Sequence, residues 1–275
     1  MLYGTSFTGG IYAGEGTVFA VGTNGTASRG LAYFPAMSLW TNSTGANPYG
    51  GLALSGNSLY GTTYNGGSTS YGTLFKVNAD NAGLTVLHVF PAGTPYIGGQ
   101  HCSCVTNTDG VGPAGGLIVS GDTLYGTAVY GGDWGGGTVF AVNTNGACFT
   151  TLHSFAAGNY KATGLYTNSD GANPYAGLVL SRNTLYGTTS QGSSSGYGTV
   201  FSLTLPPPPL TIDHSGTNVV ITWPTYAPGV WLQSTTNLVL PAVWRTNLPS
   251  PVVVNGWNTV TKPASGTRTF YRLSQ

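Results

Sequence analysis

Apolar positions in this chain come in short bursts, each closed off by Gly, Asn, Asp or Pro, and the bursts recur in a fixed order. The segment Leu-Tyr-Gly-Thr occurs at Leu2–Thr5, Leu59–Thr62, Leu124–Thr127 and Leu185–Thr188, its tyrosines spaced by 57, 65 and 61 residues. Each copy is followed by a Gly/Ser loop and then by Gly-Thr-Val/Leu-Phe, at Gly16–Phe19, Gly72–Phe75, Gly137–Phe140 and Gly198–Phe201. A third apolar segment lies at Leu31–Phe34, Leu87–Phe90 and Leu152–Phe155. It leads through a variable loop to a turn at Asn42–Pro48, Asn107–Pro113 and Asn168–Pro174. Gly-Leu-x-x-Ser closes the unit at Gly51–Ser55, Gly116–Ser120 and Gly177–Ser181.

Short apolar runs between turn residues predict strands in meander order. Ser55-Gly56-Asn57, Ser120-Gly121-Asp122 and Ser181-Arg182-Asn183 read as tight hairpins that join the closing strand to the next Leu-Tyr-Gly-Thr. Four such strands per unit make the blade of a β-propeller, which hides its sheet edges by radial repetition. A β-solenoid is the weaker reading, because its rungs come from shorter periods. Fourteen strand segments amount to three and a half blades, and closed propellers use about four to eight. Two readings complete the count: the chain is a fragment of a longer gene, or two copies form a homodimer that closes a seven-bladed ring.

The motifs Asp-Gly-Ala-Asn-Pro-Tyr-Ala-Gly-Leu (Asp170–Leu178), Leu-Tyr-Gly-Thr and Gly-Gly-x(n)-Gly-Thr-Val-Phe resemble those of the Gloeo/Verruco tandem-repeat family. The resemblance covers residues 2 to about 203. It implies a secreted bacterial protein with propeller-like repeats, and it brings no catalytic residues.

Four prolines, Pro206–Pro209, form a stiff extended linker. They divide a Gly-rich repeat domain, 1–205, from a segment 210–275 in which the repeat signature is gone. There Leu210–Ile212, Val219–Trp223, Val230–Ser234, Val243–Thr246, Val252–Val254, Thr259–Val260 and Thr269–Leu273 read as strands of a small fibronectin- or immunoglobulin-like β-sandwich. Trp223, Trp231, Trp244 and Phe270 are its expected core.

Composition narrows the function. Charged residues make up 5% of the chain, with Lys+Arg 8 against Asp+Glu 7, which argues against nucleic acid and against an anionic membrane surface. The apolar runs fall well short of a membrane-spanning helix, and 44 glycines disfavour helices altogether. Of the three cysteines, Cys148 pairs more readily with Cys102 or Cys104 than those two pair with each other. His101, Cys102 and Cys104 also resemble half a zinc site, with only Cys148 as a further sulfur ligand.

Repetition argues for scaffold, since a single active site needs residues found once. Asp109 and Asp170, with Asn107 and Asn168, recur within Thr-Asn-x-Asp-Gly or its variant. They read as turn residues, or alternatively as a calcium loop, the one cofactor the chain suggests. His88 and His153 recur as well and read as structural hydrogen-bonding groups. Gly192–Gly196 matches Gly-x-Ser-x-Gly but lies in a low-complexity loop and not on the required strand-turn-helix elbow. Residues that break the pattern are the ligand candidates: Glu15 with Tyr12, Tyr64, Asp133 with Trp134, and Trp40. Trp134 beside Asp133 suits a sugar ring, the indole stacking and the carboxylate accepting hydroxyls. The expectation is therefore an extracellular, non-catalytic repeat scaffold that binds glycan or matrix or builds cell-surface structure. The alternative is a calcium-dependent lactonase- or esterase-like hydrolase with its site at the propeller axis.

Overall fold

A computed structural model describes residues 1–275 except 11–13, 81–82, 96–104, 162–164, 207–208, 225–229, 247, 255–256, 265, 267 and 275. The chain divides into two compact units. One comprises Met1–Val119, Thr123–Val179 and Leu185–Leu203; the other is Thr204–Gln275 with the turns Ser120–Asp122 and Leu180–Thr184.

The repeats fold into four small antiparallel sheets in meander order. The first holds Leu2–Ser6, Thr17–Val21 and Arg29–Tyr33. The second holds Ala53–Ser55, Ser58–Thr63, Thr73–Asn78 and Gly83–Val89. The third holds Ile118–Ser120, Thr123–Ala128, Thr138–Asn143 and Thr150–Ser154. The fourth holds Val179–Ser181, Thr184–Thr188 and Val200–Thr204. Each Gly-Leu strand thus opens the sheet of the following unit, as the Ser55↔Ser58 hairpin shows. The fourteen strands are consequently dealt as 3, 4, 4 and 3. The expected fourteen strands are thus present, and the half unit is not a separate piece: the first and fourth sheets each hold three strands.

The cause of the packing lies in two motif residues. The phenylalanine of Gly-Thr-Val/Leu-Phe pairs across the strands with the glycine of Leu-Tyr-Gly-Thr, as in Gly61↔Phe75 and Gly126↔Phe140. The tip of its ring reaches over that glycine, so a Cβ on Gly61 or Gly126 would come within 2.6 Å of the ring's Cζ. The phenylalanine ending the previous sheet then meets it edge-on: Phe34–Phe75 at 5.3 Å, Phe90–Phe140 at 5.4 Å and Phe155–Phe201 at 5.2 Å between centroids. Such pairs contribute about 0.5–1.5 kcal/mol beyond the area they bury. Around them Val18, Leu31, Leu59 and Val77 join the first sheet to the second, and Tyr60, Leu74, Leu124 and Val142 join the second to the third.

The stretches expected as turns contain further strands. Val105–Val111 pairs with Thr94–Pro95 and with Tyr130–Gly132, and Tyr166–Ala172 pairs with Asn159–Tyr160 and Gln191–Ser193. Backbone groups in these long connections find partners in one another, which turn residues alone would not supply.

The C-terminal unit carries a four-stranded sheet of Thr211–Ser215, Asn218–Pro224, Trp257–Pro263 and Val252–Val254, and a pair, Trp231–Thr235 with Phe270–Ser274. Ile221, Trp223, Leu232 and Val260 form its core. Trp231 was an expected core residue but is exposed, because side chains alternate along a strand and its neighbour Leu232 takes the inward position. Trp244 instead stacks under Arg272, 4.3 Å from ring to guanidinium carbon. Val243–Thr246 is not a strand; it contributes a single bridge, Ser234↔Arg245.

Gly126→Ala is expected to lower stability by about 1–3 kcal/mol, since the Phe140 ring must shift. Gly83→Ala, with open space around its Cβ, is expected to change it by less than about 0.5 kcal/mol. Urea unfolding of both variants checks the pair.

Candidate functional site

Backbone bonds repeated from unit to unit gather one end of each connection. Asn47 N–H donates to Glu15 O at 2.7 Å, Gly112 N–H to Tyr71 O at 3.0 Å and Asn173 N–H to Gly136 O at 2.8 Å. In turn Tyr64, Val129 and Ser190 donate their N–H groups to the carbonyls of Asn47, Gly112 and Asn173. These six residues therefore form equivalent anchor points, and the side chains around them are what differ. Tyr49 and Tyr175 follow Pro48 and Pro174, whereas the middle unit has Ala114 after Pro113.

The aromatic side chains converge. Phe7 meets Tyr49 edge-on at 5.7 Å, and Tyr49 faces Tyr64 at 6.5 Å. The Tyr64 ring lies over Gly112, where a Cβ would stand 3.1 Å from it. Tyr130 and Tyr175 share a hydroxyl–hydroxyl hydrogen bond of 3.0 Å, and the Tyr64 hydroxyl interacts with both. Phe7, Tyr49 and Tyr175 are exposed, while Tyr64 and Tyr130 are half-buried. Burial, reinforced by the hydrogen bond to Tyr130, pushes the Tyr175 hydroxyl up to about 12. Burial, then its Tyr175 neighbour, raises Tyr64 too. The patch is thus uncharged at neutral pH: a shallow aromatic surface with protonated hydroxyls that donate and accept.

Of the expected ligand residues, the structure brings Tyr64 into this patch, and the Glu15 carbonyl ties Asn47 beside it. Tyr12 lies outside the described residues. Asp133 and Trp134 sit exposed at the tip of a Gly-Gly turn, the Asp133 N–H donating to Ser154 Oγ at 2.8 Å. Trp40 shares with Leu39 the centre of a two-residue turn between Ser38 and Thr41, both at positive φ (51° and 70°) and both exposed. Sequence reasoning missed Phe7, Tyr49, Tyr130 and Tyr175. The available signal was Asn-Pro-Tyr in two units against Gly-Pro-Ala in the third.

The recurrent polar residues are held within their own units. Asn107 Nδ2 donates to Pro91 O at 2.9 Å and Gly110 O at 3.0 Å, while its Oδ1 accepts the Gly110 N–H at 2.7 Å. Asn42 and Asn168 repeat the arrangement. Gly45, Gly110 and Gly171 all have φ near +100°, which favours glycine there. Asp109 accepts from Thr108 Oγ1 at 2.6 Å, and its second oxygen lies 3.0 Å from His88 Nε2, off hydrogen-bond alignment. Asp170 pairs with His153 at 2.9 Å and accepts the Ala156 N–H. Among the described residues no three His, Cys, Asp or Glu side chains gather as for a metal. Cys148 is exposed and forms no disulfide among them, and its expected partners Cys102 and Cys104, like His101, lie outside.

Residues 91–226 match the Gloeobacter/Verrucomicrobia repeat. No curated protein matches the chain. Among solved structures it is remotely similar to TolB from Acinetobacter baumannii, at 12% identity and a TM-score of 0.35, covering 77% of this chain and 46% of that one. A candidate TolB from Agrobacterium tumefaciens gives 10% and 0.34, covering 91% of this chain and 67% of the other. A candidate 6-phosphogluconolactonase from Bacteroides fragilis gives 15% and 0.34, covering 82% and 64%. The chain thus spans less than half of the first of these proteins and about two thirds of the others.

Asn107→Ala removes three bonds and is expected to cost about 2–4 kcal/mol, equally in calcium and in chelator. Denaturant titration checks this, and a calcium-dependent difference would restore the cation-loop reading. Burial holds His88 below its ordinary value of 6.5, against the opposing pull of Asp109. The unfolded chain therefore takes up a proton that the folded one resists. Stability from this residue is complete above about pH 6.5 and declines as the pH falls from there towards the lower folded value, by at most about 1.4 kcal/mol per pH unit. His88→Phe, which keeps a ring stacked on Phe149, should flatten that slope in urea midpoints measured between pH 7.5 and 5.

Proposed function

We propose that this chain is an extracellular, propeller-like repeat scaffold that binds neutral glycans on its tyrosine patch. The carrying observation is the convergence of Phe7, Tyr49, Tyr64, Tyr130 and Tyr175, drawn from three repeats, onto one exposed surface with linked hydroxyls. A sugar ring has apolar C–H faces and an equatorial belt of hydroxyls. Exposed rings such as Tyr49 and Phe7 suit the faces, and the Tyr130–Tyr175 hydroxyl pair suits the belt. A chain with 5% charged residues offers little long-range attraction to an ionic ligand, which is consistent with a neutral one. The recurring His–Asp pairs and Asn turns act as scaffold on this reading, since each is engaged inside its own unit.

Binding to insoluble neutral polysaccharides tests the proposal. Tyr49→Ala should weaken it roughly tenfold, the loss expected from about 1.4 kcal/mol of stacking. Tyr175→Phe should weaken it less, keeping the ring and losing the hydroxyl. Affinity should change little with salt, or between about pH 6 and 9, because the patch is uncharged there. Loss on Trp134→Ala or Trp40→Ala with Tyr49→Ala silent would move the site to those loop tips. No retention on any polysaccharide would overturn the glycan reading.

A further inference from the structure

Charge is divided unevenly along the chain. Residues 210–275 hold four cationic side chains, Arg245, Lys262, Arg268 and Arg272, against one acid, Asp213. Residues 1–209 hold four cations against six acids. Arg272 is engaged: it stacks on Trp244 and donates its Nε–H to Gln233 Oε1 at 2.9 Å. Among the described residues the ion pairs are both His–Asp contacts within the repeats, so Arg245 and Lys262 meet no carboxylate there. Both line one open cleft of about 580 Å³ in the C-terminal unit.

The two cations come to this cleft from different sheets. Lys262 lies on Trp257–Pro263 of the four-stranded sheet, and its ammonium stands 5.6 Å from the centre of the Tyr271 ring on the strand pair. Arg245 is fixed to that pair by two backbone bonds: its N–H donates to Ser234 O and its C=O accepts the Ser234 N–H, both at 2.9 Å. The turn that carries Thr235, Thr236, Asn237 and Val239 into the lining closes on itself. Thr235 Oγ1 donates to Asn237 O at 2.9 Å and accepts the Asn237 N–H, while Asn237 Oδ1 accepts the Val239 N–H at 2.9 Å. A frame held in this way loses little freedom when a ligand enters.

The rest of the lining is of two kinds. Ser234, Thr236 and Thr269 bring hydroxyls, and Val239, Pro241 and Leu248 bring apolar surface. Cations alone suit any anion, and hydroxyls alone suit any polar solute. Together with apolar surface they suit a ring that has C–H faces, hydroxyls and a carboxylate. A guanidinium fork matches a planar carboxylate with two parallel bonds. The cleft also lies within the size range of small-ligand sites, about 300–1,000 Å³.

We infer that this cleft binds a uronic acid unit of an acidic saccharide, Arg245 and Lys262 taking the carboxylate and the hydroxyl side chains taking the ring hydroxyls. It is a second site, in the other unit from the tyrosine patch, and it takes a charged sugar where the patch takes a neutral one. Its affinity accordingly depends on ionic strength, which affinity at the patch does not.

Calorimetric titration of the full chain with a galacturonic acid trimer, beside the neutral galactose trimer, tests this. The acidic trimer should bind, and its affinity should fall several-fold between about 0.05 and 0.5 M salt. Arg245→Gln and Lys262→Gln should each weaken it about tenfold, the loss expected of one charge-assisted hydrogen bond, with urea midpoints close to the parent's. Arg245→Lys should fall between the parent and Arg245→Gln, since it keeps the charge and loses the fork. Tyr49→Ala should leave binding of the acidic trimer unchanged, which separates this outcome from binding at the patch. An acidic trimer that binds no better than the neutral one would overturn the inference. So would affinity that survives the double variant Arg245→Gln/Lys262→Gln, or a loss on Tyr49→Ala. Inorganic sulfate displacing the trimer at equal concentration would reveal a site that reads charge alone, and would overturn the saccharide assignment.

Discussion

A phenylalanine ring lying across a strand glycine, and met edge-on by a phenylalanine of the preceding sheet, is the contact on which the repeat unit rests. Neither half works alone. Glycine in a strand is unfavourable by itself, and a three- or four-stranded sheet this short has too little apolar face to be stable in isolation. The ring covers the exposed backbone at Gly61 or Gly126, and the sheet-to-sheet stacking buries the ring. Each sheet thereby depends on its neighbours, which is why the motif must recur and why its spacing tolerates only changes in the loops between strands.

The same dependence explains how a chain with so few charges arranges its polar groups. Amide and hydroxyl side chains bind the backbone in the long connections, as Asn42, Asn107 and Asn168 do in turn. Once those anchor points are equivalent, a side chain changed in one unit is carried to a known place without disturbing the frame. The tyrosine patch is built in this way: Gly112 leaves room for the Tyr64 ring that lies over it, and Tyr49, Tyr130 and Tyr175 gather beside that ring.

The period, the strand segments of the repeats and the hairpins into Leu-Tyr-Gly-Thr were legible, because each rests on local turn chemistry and alternation. The paired strands inside the Asn107 and Asn168 stretches were not. Their hydrogen bonds join segments with little apolar patterning of their own. Tyr64 could be singled out from its loop. Tyr49 and Tyr175 could not, because their recurrence in Asn-Pro-Tyr reads as scaffold until their position in space is known. Trp231 misled in the opposite direction: its size suggested core, yet strand phase turned it outward and gave the interior to Leu232.

By itself the sequence determined the all-β character, the repeat and the residues on which each sheet is built, since these follow from period, turn residues and the absence of helix-length apolar runs. Tertiary structure alone decided which strand joins which sheet, so that fourteen strands became 3, 4, 4 and 3 instead of three and a half blades. It also decided which tyrosines share a surface. Those outcomes depend on contacts between residues far apart in the chain, such as Tyr130 with Tyr175 and Tyr64 with Tyr175. No local pattern along the chain records such distances.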